Sequence, residues 1–162
     1  MPNPASLPLH AVVIHFPIAG AFFAGAALAL GLFRPSARPS SLNAAALLLA
    51  ATMAGGLAAL ITGWLWADQL AYLAGGWGPI PGPKAVEGLA RLHAILAFAF
   101  VSTASVALEL VLRARKRDRP PVAALLAAFL ACCLVAAVSH LGGTMVHAPP
   151  APKIDAADFR AR

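Results

Sequence analysis

Apart from Glu109, charged side chains in this chain are gathered between and after four long apolar stretches, Leu9 to Phe33, Leu42 to Ala67, Leu92 to Leu112 and Pro121 to Val146. Each stretch exceeds the roughly 20 residues that an α-helix needs to cross a hydrocarbon core about 30 Å thick. None alternates with the period of two that marks a half-buried strand. The pattern therefore predicts an all-α integral membrane protein, a four-helix up-and-down bundle with spans at about 9–33, 43–67, 89–112 and 121–146. A four-span domain would then occupy residues 1–147, and residues 148–162 would form a tail.

Composition agrees with the pattern. Hydrophobic residues make up 60% of the chain and charged residues only 11%, against about 25% charged in an ordinary soluble domain. The net charge of +6 would suggest nucleic acid in a soluble protein. Here the cations sit in connections between spans, so topology explains them and no nucleic-acid partner is expected.

The first connection holds Arg34 and Arg38 without an acid, and the third holds Arg113, Arg115, Lys116, Arg117 and Arg119 against Asp118. The positive-inside rule puts both in the cytoplasm. The second connection, from Asp68 to Glu87, has one Lys and two acids, and the segment before Leu9 has no charged side chain. Both face out, and with four spans the tail does too. The expectation is a bacterial inner-membrane protein with both termini periplasmic. The segment before Leu9 lacks the Lys or Arg of a secretory signal, and the first apolar run is too long for one, so it is expected to be a retained helix. Cys132 and Cys133, adjacent within the last apolar run, are expected to be packing residues.

The five histidines sharpen this picture, because the topology puts all of them in the outer half of the bilayer or at its surface. With 1.5 Å of rise per residue, His15 lies about 9 Å inside the outer boundary, His93 about 8 Å and His140 about 10 Å. Three imidazoles on three helices share one level, with His10 and His147 at the rim above them. Ionisable residues inside a membrane carry a functional expectation by default. Two imidazoles facing each other from different helices can ligate a haem iron, and a four-helix bundle is a known frame for that.

On the fourth helix, His140, Gly143, Thr144 and His147 fall on one face, with the two histidines about 10.5 Å apart along the axis. That is too far for both to bind one ion. Gly143 removes a side chain where a flat group could lie, or where another helix backbone could approach. Pro17, two residues after His15, leaves the Val13 carbonyl without its helical donor and should kink the first helix. Trp64 and Trp66 suit the interface, and Asp68 could orient a histidine. The chain has no CxxCH, HExxH, GxSxG or Gly-rich phosphate loop, so most catalytic classes have no support.

The stretches "LHAVVIHFPIAG", "RLHAILAF" and "HLGGTMVHA" give the chain a resemblance to the DUF2231 family of predicted bacterial membrane proteins, over nearly all of the four-span region. His15, Phe16 and Pro17 match that family's His-Phe-Pro, His93 its third-helix histidine, and Gly142, Gly143 and His147 its Gly-Gly pair followed by histidine. His140 matches a form associated with versions joined to c-type cytochrome domains. The resemblance implies a redox association. No cytochrome domain occurs within these 162 residues, which leaves the redox partner open.

The expected function is a b-type cytochrome-like subunit, more a non-catalytic electron carrier than an enzyme. It would hold one haem b, with a second, shallower one as an extension, and pass electrons to a membrane or periplasmic partner such as a c-type cytochrome. The first pair of axial ligands is His15 and His93, on helices that are diagonal in an up-and-down bundle, with His140 competing. His10, His147 and Gly143 complete the cofactor-binding set. Two alternatives stand beside it: a copper or zinc site formed by His15, His93 and His140, and a structural membrane subunit without cofactor.

Overall fold

The computed structural model describes residues 12–73, 84–117 and 119–147, and side chains over 12–64, 91–117 and 119–144. His10, the "GGWGPIPGP" stretch, the tail 148–162 and the side chains of Trp66, Asp68 and His147 lie outside the described residues or side chains. Four long helices make up the fold: α1 His15–Phe33, α2 Arg38–Leu73, α3 Lys84–Arg117 and α4 Val122–His147. All four contain a segment long and apolar enough to cross a membrane: His15–Phe33, Pro35–Trp64, Arg91–Arg117 and Val122–Thr144. The protein is an all-α, membrane-spanning four-helix bundle.

Around the bundle α1 packs on α2, α2 on α3, α3 on α4, and α4 back on α1; the α1–α4 seam is the least extensive of the four. The pairs α1–α3 and α2–α4 are therefore diagonals. Buried positions are dominated by small residues. Ala24, Ala45, Ala107, Ala114, Ala124 and Ala128, with Leu28, Leu42, Leu49 and Val111, form one cluster toward the basic end of the bundle. Ala21, Phe100, Ala131 and Val135 form a second cluster nearer the histidine end. Lipid is as apolar as leucine, so helices in a bilayer associate by close backbone approach, which small residues permit.

Both middle helices outrun the apolar stretches. α2 begins at Arg38, in advance of Asn43, because Pro39 fits a first turn where its missing N–H costs nothing. A 3₁₀ turn, Pro35–Ala37, links it to α1. The Ser40 hydroxyl donates to the Ala37 carbonyl at 2.9 Å. Arg38 Nε donates to the Gly31 carbonyl at 3.3 Å and so satisfies an end-group of α1. At the other end α2 runs to Leu73 and α3 starts at Lys84. Ala, Gln, Leu, Lys and Glu in these extensions favour a helix whether or not lipid surrounds it. Apolarity measures the depth of the membrane, whereas a helix stops at Gly or Pro.

α3 continues to Arg117, with Arg115, Lys116 and Arg117 in its last turn, where cations complement the exposed carbonyls. The connection to α4 is correspondingly tight. The Arg119 N–H donates to the Ala114 carbonyl at 3.1 Å, and the Leu125 N–H donates to the Pro121 carbonyl at 2.8 Å. Pro121 thereby acts as the N-cap of α4. Glu109 and Arg113, four residues apart with the acid first, form a surface pair at 2.7 Å.

Candidate functional site

Pro17 shapes the start of α1 as expected from its missing N–H. Val12 and Val13 are helical, Ile14 is a turn residue, and α1 proper begins at His15. Ile14 keeps right-handed helical angles, φ −63° and ψ −22°, so the hydrogen-bond ladder is interrupted while the chain keeps its direction of winding. Pro17 itself is buried against α2, where a Cβ on Gly55 would lie 3.0 Å from Pro17 Cδ.

The second core cluster gives a common height for the histidines. Counting outward from Ala21, Phe100 and the Ala131–Val135 segment, His15 lies about 9 Å above that layer. His93 lies about 10.5 Å above it, and His140 between about 7.5 and 13.5 Å. Three imidazoles on three helices thus stand at one height. Their directions differ. At about 100° per residue, His93 falls about 20° from the centre of the α3 face formed by the buried Phe100, Ala104, Ala107, Val111 and Ala114. His15 falls about 170° from the centre of the buried face of α1, formed by Pro17, Gly20, Ala21, Ala24, Leu28 and Gly31. His140 falls about 150° from the α4 face formed by Ala124, Ala128, Ala131 and Val135. Accordingly His93 is half-buried, and His15 and His140 are exposed.

His93 has a built environment. Its Nδ1 lies 3.0 Å from the Val138 carbonyl oxygen on α4. A carbonyl only accepts, so Nδ1 must donate, and in the neutral ring the lone pair then belongs to Nε2. Gly142, one turn beyond Val138 and about 10° from the centre of the buried face of α4, lies against the ring. A Cβ there would come within 3.3 Å of His93 Cε1 and 3.7 Å of Nδ1.

Gly143 differs. A Cβ at that position meets nothing within 4 Å among the described residues. It stands about 90° from the buried face of α4, on the side away from Val138 and α3, so it faces the seam with α1. The α4 face that carries His140, Gly143 and Thr144 is therefore turned outward and toward that seam, not into the bundle. His15 and His140 occupy the outer sides of two adjacent helices at one height, with the α1–α4 seam between them.

The expected diagonal pair, His15 and His93, is not brought face to face: one ring points out and the other is held inside against α4. Nor do His15, His93 and His140 gather as an ion site. Among the described residues no three His, Cys, Asp or Glu side chains are placed to hold a metal ion. Cys132 packs beside the second core cluster as expected, whereas Cys133 is exposed on the outer surface. A shallow recess lined by Ser105, Val106, Glu109, Leu110 and Arg113 lies on α3 toward the basic end, away from the histidines.

Sequence reasoning found the histidines by depth but passed over Val138 and singled out Gly143 over Gly142 as the working glycine. A signal for both was present. Small residues at Ala124, Ala128, Ala131 and Val135 mark the buried face of α4, and continuing that face at helical spacing reaches Gly142.

Fold and site together define a four-span helical membrane protein with a layer of imidazoles at the end opposite its basic connections. Residues 6–149 match the profile of the family described as "Predicted membrane protein (DUF2231)". The chain belongs to that family. No curated protein and no solved structure is similar enough to count as a match.

Proposed function

We propose that this protein is a haem-binding subunit of a bacterial inner membrane, with the histidine end periplasmic, that transfers electrons to a membrane or periplasmic partner such as a c-type cytochrome. The observation that supports it is the placement of His15 and His140 at one height on adjacent helices, flanking a seam that Gly143 leaves open. Helices in contact have axes about 8–10 Å apart; His15 and His140 face outward on those helices, so holding a flat group between them requires both rings to swing toward the seam. This pair, and not the diagonal pair His15 and His93, would hold the haem. Haem b, when bound, supplies a one-electron iron couple. His10 and His147 belong to the rim above, where they would meet haem propionates or a second, shallower haem.

A structural role is favoured for His93, whose bond to the Val138 carbonyl ties α3 to α4. A copper or zinc site receives less support, since the described side chains offer no three-ligand group.

The test is a reduced-minus-oxidised visible spectrum, with metal analysis, on protein purified after expression with haem supplied. Wild type is expected to show a low-spin b-type α-band and one iron per chain, and both His15→Ala and His140→Ala are expected to lose that band. Absence of any Soret or α-band from wild type would sink the haem reading. Bound copper or zinc in its place would support the metal reading, and neither would leave the structural one. Orientation is read separately: a periplasm-dependent reporter fused after Thr144 should be active, and one fused after Arg117 should not.

A further inference from the structure

His93 is the one histidine of the described set that faces the packed interior, and the haem reading above gives it no iron to bind. Its surroundings show another use. Val138 lies in the body of α4, where its carbonyl already accepts the N–H one turn on, from Gly142. A carbonyl has two lone pairs, so it can accept a second donor. On a helix that second lone pair is normally screened by the side chain four residues later. Here that residue is Gly142, and the His93 ring occupies the space its Cβ would crowd, with Cε1 at 3.3 Å and Nδ1 at 3.7 Å from that point. The ring thereby reaches the Val138 oxygen at 3.0 Å. A neighbouring fact adds to this. Packed layers stop short of this level: among the described residues the last fully buried positions toward the histidine end are Pro17, Gly56, Phe100 and Val135. Beyond them α3 and α4 are joined at a specific point by His93.

That point also fixes rotation. Val138 and Gly142 lie on the inner, α3-facing side of α4, while His140 and Gly143, between and beside them in sequence, lie on the outer, α1-facing side. Turning α4 about its axis by about 100° in the sense that puts Leu141 where Gly142 stands would bring a side chain against His93 and carry His140 away from the seam. We infer that His93 and Gly142 form a clamp on α4 that makes His93 the positioning residue for His140. The clamp keeps a proton on His93 Nδ1 and sets the rotation at which α4 carries His140 and Gly143 beside α1. The positioning of His140 toward haem rests on the proposed function; the clamp itself does not.

The experiment separates the two. Full-length protein labelled with ¹⁵N-histidine is compared as wild type, Gly142→Ala and Gly143→Ala, without added haem. Wild type is expected to show His93 Nδ1 as a protonated, hydrogen-bonded nitrogen. Gly142→Ala should shift or weaken that signature, because its Cβ would lie 3.3 Å from Cε1 and press the ring aside by a few tenths of an ångström, and Gly143→Ala should preserve it, because its Cβ meets nothing within 4 Å among the described residues. An unchanged His93 signal in Gly142→Ala, or an unprotonated Nδ1 in wild type, would overturn the clamp whether or not haem binds.

The second arm reads the haem spectrum in His93→Asn and His93→Leu. Asparagine keeps an N–H donor near the position of Nδ1 but does not ligate iron as imidazole does, and leucine keeps neither. His93→Asn should retain the wild-type α-band, while His93→Leu should broaden it or lower haem occupancy several-fold. Equal loss in both variants would make His93 a ligand, and no change in either would deny it a positioning role; each result overturns the inference. If wild type binds no haem, the proposed function fails and the clamp is decided by the ¹⁵N arm alone.

Discussion

A single glycine hydrogen decides how closely two of these helices approach. A Cβ on Gly20 would strike Thr52 Oγ1 and lie 3.3 Å from the Leu48 carbonyl, whereas a Cβ on Gly25, in the same helix, meets nothing within 4 Å. Overpacking of a close contact costs typically about 1–3 kcal/mol, and an exposed Gly→Ala change in a helix gains up to about 1 kcal/mol. Gly20→Ala is therefore expected to lower the unfolding midpoint in detergent and Gly25→Ala to hold or raise it. Equal effects at the two sites would mean that α1 does not pack on α2 through Gly20. Ser41 Oγ and Thr52 Oγ1 are buried without hydrogen-bond partners among the described residues, which makes this seam one of shape and not of polar bonding. By contrast the His93–Val138 bond is a specific polar link, and interhelical bonds of this kind in membranes average about 0.6 kcal/mol and reach about 1.7. That is small against the stability of the bundle, which suits a bond whose use is to fix an angle.

Among the elements, the lengths of α2 and α3 show where sequence and structure part. At 1.5 Å per residue their 36 and 34 residues correspond to about 54 and 51 Å, well beyond a core of about 30 Å. The apolar stretches located the crossing segments, and the terminal turns came from polar residues that favour helix. Charge along α3 follows its surroundings. Glu109 and Arg113 pair at 2.7 Å with side chains 56% and 64% exposed, and pairs that exposed contribute about 0–1 kcal/mol. Glu109→Gln is expected to shift thermal stability in detergent by less than about 1 kcal/mol and to leave the visible spectrum unaltered. A larger loss, or a spectral change, would show that the pair has a role beyond the surface of α3.

For the whole molecule, stability depends on layers of alanine shared by all four helices. Ala45, Ala107 and Ala128 have no exposed area, and each stands where a larger side chain would force helices apart. Ala107→Leu and Ala128→Leu are each expected to destabilise by about 1–3 kcal/mol and to broaden any haem band, since the histidine helices would separate together. Chemical unfolding in detergent beside the visible spectrum checks both; an unchanged midpoint would mean that the layers are loosely packed. The same layers fix the order of the ring, in which α1 and α4 are neighbours and α1 and α3 are diagonal. That order puts His15 and His140 on neighbouring helices and His15 and His93 on diagonal ones.

The sequence by itself determined the number of crossing helices, the end at which the histidines gather and their common height, because depth along a helix depends only on rise per residue and on where the apolar stretch begins. Only the tertiary structure decided direction. In a bilayer both the lipid-facing and the core-facing sides of a helix are apolar, so hydrophobicity carries little information about rotation. The interior is marked instead by small residues, and their meaning emerges when neighbouring backbones close on them. For that reason His93 and Gly142 turn inward while His140 and Gly143 turn outward, though all four stand at about the same height in the bundle.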